Sequence, residues 1–374
     1  MRNRAGTLES NQMPLLKPGS ADYPRNQWYV IAFDREVSRV PFKRECLGDP
    51  IVLYRTERGD PVAMFDRCPH RGMPLSRGTL QGDRIKCIYH GFEYDLDGRC
   101  KLVPTTETIP PGMRVHVYPL VKRWELLWIW MGESSGADPT LIPDHDDIGV
   151  TKPGFVAEAG AMMTIETNYL LAHENYADAP HIPFLHGLGE PQPEYTLKVD
   201  PPRRVEIERW YEEDFAPWHA MLFGIDWTGV RIRRSLDHIS IAPSVAVTRA
   251  EVVNIADPSM AIDNRQIMIF TPASPRRTHV FGCLAQNYPD RVTGKWENFE
   301  ASMREADYNI LEEIQRLFDS LPPEKQHEFS VRDDEANLHF RRMIGEMLRA
   351  EQEGGAPARP ALTGATALAR RSTA

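Results

Sequence analysis

The sequence predicts an α+β chain in which a small all-β unit precedes a larger unit built on an antiparallel sheet with helices. Three observations carry this. Short runs rich in β-branched and aromatic residues, WYVIAF, IVLYRT, PVAMFD and LLWIWMG, crowd the first third of the chain. Segments that alternate in polarity, RVEIERWY, VRIRRSLDHISIAPSVAVTRAEVVN, RQIMIFTPA and THVFGCLAQNY, follow later and read as a large sheet. Beyond them, ENFEASMREADYNILEEIQRLF places Phe299, Met303, Ile310, Leu311, Ile314, Leu317 and Phe318 at the three- and four-residue spacings of an amphipathic helix.

The boundaries follow composition. Residues 1–21 are polar, lack the apolar core of a secretion signal and read as a flexible arm. Residues 22–145 hold the first unit, where ERGD and LDGR mark turns between strands. Residues 146–350 hold the second, and 351–374, rich in Ala, Gly and Pro, read as a disordered tail. The net charge of -9 argues against non-specific nucleic-acid binding. No apolar run reaches the roughly eighteen residues of a membrane span. Five cysteines, an odd and sparse set, do not form a disulfide framework and point to a reducing cytoplasm.

Two of those cysteines stand beside histidines. CPHRGMPLSRGTLQGDRIKCIYH contains Cys68-x-His70 and, after a gap, Cys87-x-x-His90. Thiolates mixed with imidazoles suit zinc or an iron–sulfur cluster. Structural zinc sites space each pair by two to four residues, and Cys-x-His is too short for that. A Rieske [2Fe–2S] centre takes two Cys on one iron and two His on the other, so each loop would supply one ligand to each iron. The wording CPHRG and YHGFEYDLDG resembles the ring-hydroxylating version of the Rieske signature. Ile88 stands where that pattern has Pro, and Phe92 where it has Trp.

Rieske centres also serve as plain electron carriers, so the second unit must decide between carrier and enzyme. The respiratory carriers have an extra cysteine in each cluster loop. Here those positions hold Met73 and Ile88-Tyr89.

In the second unit, NYADAPHIPFLH carries His181 and His186. Five residues on a regular helix turn through about 500°, leaving the rings about 140° apart. Pro183 between them removes an amide donor and distorts the turn. A distorted helix end would let both rings reach one metal. Two histidines and a carboxylate on one face are the ligand set of oxygen-activating non-haem Fe(II). Asp307 lies on the apolar stripe of the later helix, where a carboxylate is costly to bury unless paired or metal-bound. It is the candidate third ligand, with Glu305 as the fallback.

Asn168, Asn175, Asp178, His181 and His186 resemble, position for position, the catalytic segment of the Rieske non-haem iron oxygenases. Specifically, the chain resembles their terminal oxygenase (alpha) subunits in the group of vanillate and dicamba O-demethylases, chloroacetanilide N-dealkylases and phthalate oxygenases. The resemblance implies an all-β Rieske domain followed by a helix-grip catalytic domain, a curved sheet closed over a long helix. It implies cluster ligands Cys68, His70, Cys87 and His90, and mononuclear iron ligands His181, His186 and Asp307. It implies a head-to-tail homotrimer in which Asp178 bridges His181 to the cluster histidine of a neighbour, and a supporting role for Asn175 at the open iron face. The plainer reading of Asp178 is a helix cap.

No Gly-rich dinucleotide fingerprint or P-loop is present, so electrons must come from a separate NAD(P)H-dependent reductase, a ferredoxin, or both. The substrate expected from the resemblance is a small aromatic, with O2 as oxidant. The reaction is monooxygenation with demethylation or dealkylation, or alternatively ring dihydroxylation. DFAPWHAMLFGIDW is rich in aromatics, which makes Trp218 and Phe223, with Met268, candidates for the pocket; ordinary core is the plainer reading. Arg231, Arg233 and Arg234 are candidates for meeting a substrate carboxylate, or are surface residues. His173, His219, His238 and His279 are read as structural or exposed.

Overall fold

A computed structural model describes residues 23–288, 303–354 and 366–368. The expected arm at 1–21 and Phe299 lie outside the described residues. The apolar runs of the first unit form strands where their pattern places them: β1 (Trp28–Phe33), β2 (Phe42–Cys46), β3 (Asp49–Arg55) and β4 (Pro61–Phe65). Four short strands follow, β5 (Thr79–Gln81), β6 (Arg84–Lys86), β7 (Glu93–Tyr94) and β8 (Cys100–Leu102). β9 (Val117–Tyr118), β10 (Leu120–Arg123) and β11 (Leu126–Trp130) complete the unit. They assemble as three small sheets, β1-β11-β10, β2-β3-β4-β9 and β5-β6-β7-β8.

β1 and β11 are buried along their whole length because both faces are covered. Trp28, Val30 and Trp128 pack with Val245, Val247, Ile267 and Ile269 of the second unit. Tyr29 and Ile31 pack instead with Ile51 and Leu53 of the first unit and with Tyr169 and Phe270 of the second. This ribbon of alternating faces joins the two units through apolar burial, the dominant favourable contribution to folding.

The second unit begins after a short helix, α1 (His145–Ile148). Its sheet runs β12 (Val156–Ile165), β13 (Thr196–Asp200), β14 (Arg204–Asp214), β15 (Arg231–Ile241), β16 (Val245–Asn254), β17 (Ala261–Ser274) and β18 (Arg277–Gln286) in chain order. In space the order is β12-β18-β17-β16-β15-β14-β13, with every pairing antiparallel. The first unit covers one face. Helices α2 (Tyr169–Ala177) and α5 (Glu335–Gln352) cover the other, with α4 (Asn309–Ser320) beside them. A short α3 (Pro217–Phe223) lies over the far end of β15 and β16. The sheet gripping helices on one face is the expected architecture. Among the described residues no helix is long and apolar enough to cross a membrane.

Three expectations need correction. The helix that runs from Met303 is not uniformly α-helical: Arg304–Tyr308 form a π-helical turn ahead of α4. The extra residue in that turn offsets the faces before and after it. Met303, Asp307, Leu311 and Gln315 become the buried row, and Ile310, Ile314 and Leu317 are exposed. Within the stretch 351–374 read as a disordered tail, α5 continues to Gln352, and Thr366–Leu368 pair with β13 as a strand. Finally, Phe223 and Met268 are core residues. Phe223 closes the cluster of Ile232, Val252 and Ile262, and Met268 lies in the core shared with α2.

Candidate metal centres

Two loops of matching shape carry the Cys-His pairs. Cys68 N–H donates to Met73 O at 2.8 Å, and Gly72 N–H donates back to Cys68 O at 2.9 Å. In the second loop Cys87 N–H donates to Phe92 O at 2.8 Å and Gly91 N–H to Cys87 O at 2.9 Å. Gly72 and Gly91 have φ of 78° and 74°. Asp66 anchors the first loop by accepting from Ser76 N–H and Oγ–H, both at 2.6 Å.

The loops bring their side chains together at one end of the small sheets. Cys68 and Cys87 are buried, and His70 and His90 face each other with ring centroids 4.7 Å apart. Burial, with the Cys68 thiol alongside, raises the Cys87 thiol above its ordinary range. His70 Nδ1 is buried without a hydrogen-bond partner among the described residues. Two soft sulfurs behind, two imidazoles in front and an orphaned ring nitrogen fit a [2Fe–2S] cluster. Phe92 keeps an aromatic surface against His70, stacking at 4.6 Å with the planes 13° apart. Tyr94, not singled out from the sequence, sets its hydroxyl 3.1 Å from Cys68 Sγ. Its place four residues after His90 was visible; its hydroxyl's direction was not. Ile88, Tyr89 and His90 are exposed, so this edge faces outward.

The second group is built by a helix that changes type twice. Asn168 caps α2, its side chain accepting from Leu170 N–H at 2.9 Å. α2 ends at Asp178, Ala179–His181 form one 3₁₀ turn, and Ile182–His186 form one π turn. The widened turn between the two histidines, with its i→i+5 repeat, reduces the misalignment that a regular helix would impose on residues five apart. His181 Nε2 and His186 Nε2 lie 3.3 Å apart, and Asp307 Oδ1 lies 3.5 Å and 3.4 Å from them.

Asp307 is 1 % exposed, and neither of its oxygens has a hydrogen bond of ordinary geometry. An ionised carboxylate so buried loses several kcal/mol of hydration and requires a compensating cation. Burial pushes its pKa up, but His181 and His186 outweigh that and hold it down to about 2. Burial lowers His181, yet Asp178 and Asp307 hold it up to about 9. A triangle of donors with such sides has a point roughly 2.1 Å from each corner, the bond length of a first-row divalent ion to imidazole and carboxylate. The fit to a two-histidine, one-carboxylate metal site is good. Glu305 is exposed and outside the group.

The flanking residues hold this segment. Arg341 of α5 donates to both carboxylate oxygens of Glu174, and Tyr176 donates to Gln266 O at 3.1 Å. Asp178 closes α2 through its backbone, its N–H donating to Asn175 O at 3.2 Å, while its side chain makes no capping hydrogen bond. Its Oδ2 sits 3.4 Å from His181 Nδ1, on the side of the ring away from Asp307. Asn175 is half-buried one turn earlier.

The remaining candidates separate. Trp218 is half-buried beside Arg234 and faces the loop that follows His186, near Gly189. Arg231 and Arg233 are exposed. Arg234 is buried between Tyr211 and Trp218, its Nε donating to Glu213 at 2.8 Å. Glu213 also takes His219 Nε2 at 3.1 Å. His173, His219, His238 and His279 are all buried outside the metal group.

Residues 27–119 match the Rieske [2Fe-2S] domain, and residues 165–350 match the vanillate O-demethylase oxygenase C-terminal domain. The chain belongs to the Rieske non-haem iron oxygenases. It is 28% identical to the iron-sulfur subunit of the toluene-4-sulfonate monooxygenase system of Comamonas testosteroni, over 89% of this chain and 99% of that one. It is 27% identical to the vanillate O-demethylase oxygenase subunit of a Pseudomonas species (strain HR199 / DSM 7063), over 88% and 96%. A crystal structure of dicamba monooxygenase with non-heme iron and dicamba superposes with a TM-score of 0.76 at 27% identity, covering 89% of this chain and 99% of that chain. The oxygenase domain that follows the Rieske domain makes the chain an oxidoreductase rather than a plain electron carrier.

Proposed function

We propose that this chain is the terminal oxygenase of a multicomponent system that monooxygenates a substituted aromatic, removing a methyl or other alkyl group from oxygen or nitrogen. The observation that carries the reading is the convergence of His181, His186 and Asp307 in a chain that also holds a Rieske domain. Relatives that act by monooxygenation or demethylation support the reaction class. Cys68, His70, Cys87 and His90 would hold the cluster, and His181, His186 and Asp307 the mononuclear iron. When bound, these groups supply one-electron transfer and dioxygen activation.

The protein's own share is placement. Asp178 Oδ2 stands 3.4 Å from His181 Nδ1, on the side where a carboxylate favours a proton on Nδ1 and leaves Nε2 to face Asp307. Glu174–Arg341 and Tyr176–Gln266 hold the end of α2 against α5 and β17. Trp218, beside the loop after His186, contributes an aromatic wall to the substrate side. Insertion of one oxygen atom into an alkyl C–H bond gives a hemiacetal or hemiaminal, which breaks to an aldehyde and the dealkylated aromatic. The second oxygen leaves as water, using two electrons and two protons.

The electrons come from a separate NAD(P)H-dependent reductase, a ferredoxin, or both. The working form is a head-to-tail homotrimer, in which Asp178 also meets the cluster histidine of a neighbour. The five free, buried cysteines suit a reducing cytoplasm.

The test is a product assay under labelled dioxygen with a generic reductase, offering methoxylated, N-alkylated and unsubstituted aromatics. An aldehyde with a dealkylated aromatic is expected. A cis-diol carrying two labelled oxygens would replace this reading with ring dihydroxylation. Absence of any oxidation by protein holding both metals would overturn the substrate class.

A further inference from the structure

The candidate iron ligands come from two segments far apart in sequence. α2 leads into His181 and His186, and α4 follows directly from Asp307. The start of α2 lies against α4, and backbone donors make the contact. Glu166 N–H donates to Glu312 Oε1 at 3.0 Å, and Asn168 N–H donates to Gln315 Oε1, also at 3.0 Å.

The two bonds differ in environment. Glu166 is exposed, so water can replace its partner. Asn168 and Gln315 are 1 % and 2 % exposed, and water cannot reach them. The Asn168 side chain is committed elsewhere: Oδ1 caps α2, and Nδ2 donates to Pro275 O at 3.0 Å. Gln315 Nε2 donates to Asp319 Oδ1 at 3.1 Å, and Arg276 Nε meets the other oxygen of that carboxylate at 2.7 Å. A continuous set of polar contacts therefore ties the cap of α2, the helix α4 and the β17–β18 turn.

Gln315 shares one buried row with Asp307. It lies two turns further on, about 12 Å along the axis. A helix is stiff over that length, so an anchor at Gln315 fixes the lateral position of Asp307. Metal ligands tolerate displacements of only about 0.2 Å from ideal bond lengths.

We propose that Gln315 is a positioning residue for the iron site, locking the helix that carries Asp307 against the start of the helix that leads into His181 and His186. This rests on the reading of those three residues as iron ligands.

The experiment compares Gln315→Leu, Gln315→Glu and the double variant Gln315→Glu/Asp319→Asn in the full-length protein. Three quantities are measured: Fe(II) affinity, the paramagnetic resonance spectrum of the Fe(II)–nitric oxide adduct, and visible absorption of the Rieske cluster. Gln315→Leu puts an apolar side chain of similar size in its place and removes both hydrogen bonds. Fe(II) binding should weaken by at least about tenfold, the lower end for lost outer contacts of a metal site. The adduct spectrum should change and the cluster absorption should not. The double variant reverses donor and acceptor, keeps the bond to Asn168 N–H, and should recover affinity relative to Gln315→Glu alone. That comparison decides the matter if the Leu variant does not fold.

Met347→Ala, a core change in α5, serves as the control for lost stability. Wild-type affinity and spectrum in Gln315→Leu would overturn the proposal, as would equal iron loss in Met347→Ala. Asp307→Ala distinguishes the two levels. If it too retains iron, the ligand reading fails; if it loses iron while Gln315→Leu keeps it, only the positioning role fails.

Discussion

His181 and His186 meet at their Nε2 atoms, 3.3 Å apart, although they are five positions apart in the chain. Regular helical geometry would point the rings in directions about 140° apart. The π turn between them resolves this, and both it and the 3₁₀ turn before it contain a proline near their start, Pro183 and Pro180. The metal-binding geometry is thus written in missing amide donors as much as in ligands.

The π turn stops at Gly187, with φ of 65° and no atom within 4 Å of where a Cβ would stand. Gly187→Ala therefore meets only backbone strain, about 1 kcal/mol. Urea unfolding should show that loss with an unchanged slope. A loss several times larger would reveal a contact at this position.

Asp307→Ala should remove the mononuclear iron and spare the cluster, because the buried cation-requiring carboxylate is gone while the Cys-His loops are untouched. Metal analysis beside visible absorption checks this. Retention of the full iron content would move the third ligand elsewhere.

Cys68→Ser should bleach the cluster. Cys68 is buried with Cys87, and no spare thiol occupies the first loop. A visible spectrum like that of the unaltered protein would remove the assignment of this residue.

Asp178→Asn should leave both metals bound and slow the transfer of electrons between them, since an amide holds His181 without the charge. Single-turnover oxidation in the reduced protein is the readout. An unchanged rate would make the carboxylate dispensable.

Metal uptake should depend on pH with a defined sign. Burial opposes the charged form of His181, while Asp178 and Asp307 hold its pKa up to about 9 in the metal-free site. A metal takes the neutral ring, so binding below that pH expels a proton. Affinity for Co(II), chosen because it resists air oxidation, should rise between pH 6 and 9 by up to about tenfold per unit and then level. By the same shift, the metal-free protein gains stability from this charge below the ordinary histidine value and loses it as pH rises through about 9. A flat uptake profile would mean that His181 is already neutral.

The strands of the first unit and the sheet of the second were legible because their residue types and alternation match what a sheet requires. The Cys-His pairs and His181 with His186 were legible because few chemistries use that spacing. Helix type was not. A π turn has no composition of its own, so Ile310, Ile314 and Leu317 read as part of the stripe that holds Met303, Asp307 and Leu311, and the polar Gln315 did not. The signal available for Gln315 was its spacing, two steps of four beyond Asp307. Phe223 and Met268, read as pocket candidates, and Arg234, read as a candidate for a substrate carboxylate, sit in the core and in an internal ion pair for a common reason. Aromatic, thioether and guanidinium groups serve core packing and internal ion pairs as readily as substrate contact, and only neighbours decide.

The separation between the histidine pair and Asp307 also sets an order in time. Roughly 120 residues, including nearly the whole large sheet, are synthesised between them, and such distant contacts form late in folding. A growing chain therefore presents two histidines well before it can present a complete iron cage. Loading must wait until the last helices dock on the finished sheet, and an occupied site certifies that the whole second unit has been assembled.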